Sequence, residues 1–207
     1  IPNSNHSIAV LAKFASSSNF DRGLLWVETD TGWESHQVPN TEGIVFFSAQ
    51  VAILVSGQGR HTSFITTDGG INWHPLELPN SASITHVYLP WRSPDGQSGR
   101  LLTLEPYSDG QKIQLYETQN GALNWSLKGT IETITNTTFP NLSFDSSGAF
   151  SLYNPEQQIL RLYTLDGYLN WETSLKSPIT QIYLVDNNVW GLTKDSICRE
   201  GVCSTSE

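Results

Sequence analysis

The sequence predicts an all-β chain, a small β-propeller of four-stranded antiparallel blades, as one domain over residues 1–207. The unit count gives five blades, with part of a larger propeller as the alternative. Three observations carry this expectation. A hairpin pattern returns four times, short apolar strands flank each copy, and no long stretch keeps a helical period.

The pattern is clearest at Thr66-Thr-Asp68-Gly-Gly-Ile-Asn72-Trp73. It returns at Thr118-Gln-Asn120-Gly-Ala-Leu-Asn124-Trp125 and at Thr164-Leu-Asp166-Gly-Tyr-Leu-Asn170-Trp171. A shorter copy stands at Glu28-Thr-Asp30-Thr-Gly-Trp33. The Trp residues that close the four copies lie 40, 52 and 46 positions apart, the length of one four-stranded blade with its loops. Asp or Asn beside Gly accepts positive φ cheaply, so each copy reads as a turn between two strands. The Trp that follows is expected to pack under its turn, between neighbouring sheets.

Strands are expected before each turn at 24–27, 62–65, 113–116 and 159–163, and after each turn from the Trp onward. The remaining strands of each unit fall at 44–47, 51–55, 84–89, 101–104 and 150–153, with another near 131–138. The first unit lacks its innermost strand. A fifth unit begins with 181–185 and 188–192 and is completed by a hairpin around Glu200-Gly201.

Cys198 and Cys203 flank that last turn. A disulfide across it would imply an oxidising compartment, and two free thiols are the alternative. Two cysteines without a second pair or a nearby His cannot close a zinc shell. The start at Ile1-Pro-Asn reads as a mature terminus left by leader removal or trimming. The expected location is secreted, extracellular or periplasmic. Sequons at Asn5, Asn124, Asn136 and Asn141 would matter only in a eukaryotic secretory setting, and Asn124 sits inside the repeat.

Charge excludes several function classes. The net charge is −9, and the 11 Lys and Arg residues form no basic cluster. Nucleic acid is not an expected partner, nor is an anionic membrane surface. No run of 18 apolar residues exists to cross a bilayer as a helix.

The stretch Thr66 to Trp73 resembles the Asp-box, or BNR repeat, of sialidases, sortilin-type receptors and photosystem II assembly factors. The copies at Asn120 and Asp166 also resemble hairpins of quinoprotein-type propellers. The resemblance implies a propeller, and it implies structural roles for Asp30, Asp68, Asn120, Asp166, Trp33, Trp73, Trp125 and Trp171. In those families the box is a fold-back away from the catalytic centre, so it carries no activity with it.

No catalytic constellation is visible, and the chain is not expected to be an enzyme. The arginines at 22, 60, 92, 100, 161 and 199 lack a sialidase context. A glycosidase needs two carboxylates at a set separation, and the 20 acidic residues nominate no pair. There is no Gly-x-Ser-x-Gly elbow. His6, His36, His61, His74 and His86 form no metal-ligand spacing, and no cofactor is expected. Gly57-Gln-Gly59-Arg60 is a turn without the strand-to-helix setting of a phosphate loop.

Tyr88-Leu-Pro-Trp91-Arg92 through Arg100 reads as a long insertion between two strands, a loop carrying an aromatic and two arginines. Loops on rigid scaffolds often carry function. Trp91, Arg92 and Arg100, with Tyr107 in a second loop, are therefore the candidate binding residues for a protein partner. Carbohydrate binding is the second expectation. Its aromatic platforms would come from Trp26, Trp91, Trp190, Tyr107 and Tyr168, since the repeat Trp residues are committed to packing.

Overall fold

The computed structural model describes residues 9–13, 22–29, 31–39, 41–56, 63–79, 84–135, 138–186, 188–193, 196–199 and 202–205. Asp30, Asn5, Asn136, His6, His61, the Gly57–Arg60 turn and Glu200-Gly201 lie outside them. The described residues contain strands and turns and no α-helix. The chain divides into two compact units. One is Ile1–Pro106 with Ile113–Thr130, and the other is Tyr107–Lys112 with Ile131–Glu207.

The first unit opens with β1 (Ala9–Lys13), β2 (Arg22–Thr29) and β3 (Gly32–Pro39), paired in that order into a three-stranded sheet. β4 (Thr41–Phe46), β5 (Ala52–Ser56), β6 (Phe64–Thr66) and β7 (His74–Pro75) form a four-stranded meander. The third sheet comprises β8 (His86–Val87), β9 (Trp91–Arg92), β10 (Gly99–Tyr107), β11 (Gly110–Thr118) and β12 (Ser126–Ile134), of which Tyr107, Gly110–Lys112 and Ile131–Ile134 belong to the second unit. β8 and β9 both pair with β10, at Thr103–Leu104 and Gly99–Arg100, so its innermost strand is interrupted. Phe47, Ile53, Leu101, Tyr116 and Trp125 share the main core of this unit. Burying one such side chain contributes roughly 1.5–3 kcal/mol.

The second unit carries two meanders. β13 (Asn141–Phe144), β14 (Phe150–Asn154), β15 (Ile159–Tyr163) and β16 (Leu169–Ser174) form one. β17 (Gln181–Val185), β18 (Asn188–Leu192), β19 (Ser196–Arg199) and β20 (Val202–Thr205) form the other. Alternation aims Leu160 and Leu162 at a core completed by Tyr153, Ile182, Leu184 and Val189. Two bonds fasten the meanders together. Ile179 N donates to Tyr153 Oη at 3.1 Å, and Leu184 N donates to Ser143 Oγ at 2.9 Å.

The five sheets follow the expected unit boundaries, and the first has three described strands. Three expectations are corrected. The strand near 131–138 is not a separate one: 131–134 is the end of β12, and β13 opens the fourth sheet. Trp91 and Arg92 do not sit on a long loop but in β9, half-buried and paired to Arg100 and Gly99. The turn after them is short because Ser93 N donates to Ser98 O at 2.9 Å and Gly96 N to Ser93 O at 2.9 Å. Trp33 does not pack under its turn and is 48% exposed. Its copy of the motif is two residues shorter, and Thr29 pairs directly with Gly32, which keeps Trp33 on an outer strand.

Candidate functional site

The repeat hairpins at Asp68 and Asn120 are built alike. Thr66 Oγ1 donates to Asp68 Oδ1 at 2.8 Å and accepts from Gly70 N at 3.0 Å. Asp68 accepts from Asn72 N at 2.9 Å and Asn72 Nδ2 at 2.8 Å. In the next copy Thr118 Oγ1 donates to Asn120 Oδ1 at 3.0 Å, and Asn120 accepts from Asn124 N at 3.0 Å. Each loop needs two successive residues with positive φ, Gly69 and Gly70 at 79° and 97°, Gly121 and Ala122 at 67° and 69°. These bonds stabilise the Asp68 carboxylate and lower its pKa to about 2, the Asn72 amide contributing most. Trp73 Nε1 donates to Gly70 O at 3.0 Å, and Trp125 is buried in the core.

The fourth copy closes differently. Tyr168 occupies the position of Gly70 and Ala122, and a bulky residue resists the left-handed region. Only Gly167 keeps positive φ, at 81°. Gly167 N donates to Thr164 O at 2.9 Å and Thr164 N to Tyr168 O at 2.9 Å, a three-residue hairpin loop with its glycine bulge. β16 therefore begins at Leu169, whereas β7 begins only after Trp73. Tyr168 is left 74% exposed.

This hairpin borders a cleft of about 560 Å³ lined by Glu132, Gln157, Arg161, Tyr163, Tyr168 and Glu172, among others. Register brings its charged groups together. Arg161 lies directly opposite Glu172 across β15 and β16. Arg161 and Tyr163, two residues apart, share one face of β15. The guanidinium donates from Nε to Glu172 Oε2 at 2.6 Å and from Nη1 to Glu132 Oε2 at 2.9 Å. The Tyr163 hydroxyl donates to the same Glu132 oxygen at 2.7 Å. An aromatic stack fixes that hydroxyl: Tyr163 lies on Phe150 with centroids 5.0 Å apart and planes at 12°, and Phe144 follows at 5.5 Å.

The site's ionisations follow from this geometry. Burial and the neighbouring Glu132 push the Tyr163 phenol well above its ordinary range. Burial alone would lower Arg161, but the bond to Glu172 and the charge of Glu132 outweigh it and raise it. A fixed cation thus holds two carboxylates by one oxygen each. Among the described residues no bond reaches the Oε1 atoms of Glu132 and Glu172 or involves Nη2 of Arg161, so both carboxylates can accept further bonds and the guanidinium can donate one more.

Register brings three of the residues nominated from sequence together, with Trp91 directly opposite Arg100 and Arg92 beside it, but the two guanidiniums are occupied within the sheet and its turn. Arg100 is buried and pairs with Glu117 at 3.3 Å, where Lys128 also reaches at 3.2 Å. Arg92 Nη1 donates to Ser93 O at 3.1 Å and Pro94 O at 3.3 Å. Tyr107 is exposed at the far end of β10. Tyr168 is the one aromatic platform named from sequence that lines the cleft. Glu132, Arg161 and Glu172 were missed. Arg161 had a signal, a charge between Leu160 and Leu162 on a strand facing Glu172, whereas Glu132 lies 29 residues away with none. Among the described residues no group of three His, Cys, Asp or Glu could hold a metal ion.

No family model and no curated protein matches the chain. Solved structures do match it. Kuenenia stuttgartiensis hydrazine synthase superposes with a TM-score of 0.58 at 7% identity, over 90% of this chain and 67% of that one. KlHsv2 carrying a Gly-Ser linker in place of loop 6CD gives 0.52 at 10%, over 94% and 69%. A Bacteroides thetaiotaomicron protein of unknown function gives 0.50 at 9%, over 89% and 56%. The fold is a small β-propeller. At these identities the likeness is one of fold alone. The propeller chain spans only 56% of the last of these structures.

Proposed function

We propose that this propeller is a non-catalytic binding module of an oxidising compartment, taking its ligand in the cleft over Glu132, Arg161 and Glu172. One observation carries the reading. The hairpin with tyrosine at the strained position leaves its aromatic ring exposed beside a fixed array of charged donors and acceptors. Ligand sites combine such a concavity with a few convergent polar groups. The same array suits binding better than turnover. A nucleophilic phenol would need a lowered pKa, and that of Tyr163 is raised.

The compartment rests on the cysteines. Cys198 is buried and stands opposite Cys203 in the register of β19 and β20. Directly opposed antiparallel residues have Cα atoms about 4.5–5.5 Å apart, within disulfide range. We propose that the two are joined.

Protein docking elsewhere is the second reading. It is favoured by Ile71 and Leu123, which occupy the same position in two hairpins and are 62% and 54% exposed.

The test is capture followed by mass measurement. Ligand should be retained by wild type, lost by Arg161→Ala, and released with unchanged mass. A released product differing by the mass of water would show catalysis and overturn the non-catalytic reading. Retention by Arg161→Ala would place the binding site elsewhere.

A further inference from the structure

Resting on that binding reading, we infer that the cleft's ligand is a neutral saccharide, stacked on Tyr168 and hydrogen-bonded across Arg161, Glu132 and Glu172. The chemistry of the donor set decides between ligand classes. A cationic peptide or polyamine needs carboxylates whose charge is available. Here Arg161 already takes one oxygen from each carboxylate, at 2.9 and 2.6 Å, and Tyr163 adds a second bond to Glu132. An anionic ligand would meet two carboxylates against one guanidinium. A polyol suits what is left. Each hydroxyl is both donor and acceptor, so neighbouring hydroxyls can donate to a carboxylate Oε1 and accept from the guanidinium Nη2.

The platform fits the same class. The Tyr168 ring is 74% exposed, on a hairpin whose backbone is closed by two bonds of 2.9 Å. The C–H face of a sugar ring is apolar and covers an aromatic ring, while the equatorial hydroxyls stay in the plane of the polar groups. Arg161 and Glu132 are largely buried, with side chains 19% and 14% exposed. They are preorganised, so binding does not have to order two long side chains. A cleft of about 560 Å³ lies in the volume range of small-ligand pockets.

The experiment is calorimetric titration of the intact chain with cello-, xylo-, manno- and chito-hexaose, each up to about 10 mM, since exposed sugar sites are often weak. A lysine hexapeptide is titrated in parallel. Tyr168→Ala and Arg161→Lys are measured beside wild type, with circular dichroism to verify folding. Saturable binding of one sugar, weakened about tenfold or more by Tyr168→Ala, is expected. Arg161→Lys should weaken it too, because an ammonium cannot reproduce the forked donors. Sugar binding unaffected by Tyr168→Ala would overturn the inference. Peptide binding without sugar binding would overturn the saccharide and leave the binding cleft standing. A chain that binds none of these probes would sink both.

Discussion

At the Asp68 turn a carboxylate gathers its own loop: Thr66, Gly70 and Asn72 all bond within the hairpin, and Trp73 folds back onto Gly70. At the Asp166 turn the same motif closes sooner, and its fifth residue, Tyr168, stands in solvent beside a charged cleft. One side chain separates the two outcomes. Glycine or alanine at that position accepts positive φ, and tyrosine does not. The comparison shows how one position diverts a structural repeat: a bulky residue where the regular copies carry glycine or alanine stands in solvent at the cleft, whereas the residue after it is exposed in all three copies, at Ile71, Leu123 and Leu169.

The largest expected effect removes what the regular hairpins build. Trp125→Ala, in the core with Phe47 edge-on at 6.1 Å, should cost about 3–5 kcal/mol in denaturant unfolding. Trp33→Ala, in the short copy and half-exposed, should cost less than about 1 kcal/mol. Equal losses would mean that the short copy packs like the others.

Gly70→Tyr imposes the fourth hairpin's residue on the second. A Cβ there would stand 2.9 Å from Leu25 Cδ2 at a φ of 97°. Clash and strain should together cost about 2–3 kcal/mol. A neutral result would show that the loop changes its closure freely, and that Tyr168 does not dictate the turn.

Breaking the proposed Cys198–Cys203 link should cost about 2 kcal/mol by loop entropy for so short a ring. Thiol alkylation with and without reductant gives the direct readout. Labelling of the unreduced native and denatured chain would contradict the link.

The smallest effect is one of pH. The folded pKa of Asp68 is lowered to about 2 from an unfolded value of 3.8. Its contribution is therefore present above about pH 4 and is lost as pH falls through about 2. Asp68→Asn should flatten the acid limb of the stability curve in that window. The Asn120 hairpin, which carries an amide in the same place, contributes no such slope. An unchanged acid limb in Asp68→Asn would contradict the turn geometry.

The blade pattern was legible because it is local. Turn residues, alternation and the recurring Trp are encoded within each hairpin, and the sheets follow those boundaries. The site was not, for two reasons. Arg100 resembles a binding residue in sequence, yet burial and Glu117 consume its guanidinium. Glu132 joins the site only because the end of β12 lies beside β15, a long-range juxtaposition that no short window contains. Tyr168 was visible as an aromatic candidate, but its importance depends on the φ values of its counterparts.

The most direct test of this account is Tyr168→Gly, measured for both denaturant stability and oligosaccharide titration. Restoring glycine to the strained position should leave stability within about 0.5 kcal/mol of wild type, since a mostly exposed side chain is removed. Binding should weaken about tenfold or more, as in Tyr168→Ala. A variant that loses several kcal/mol while still binding sugar with wild-type affinity would contradict it: Tyr168 would then be a packing residue and the cleft's ligand would be held by something else.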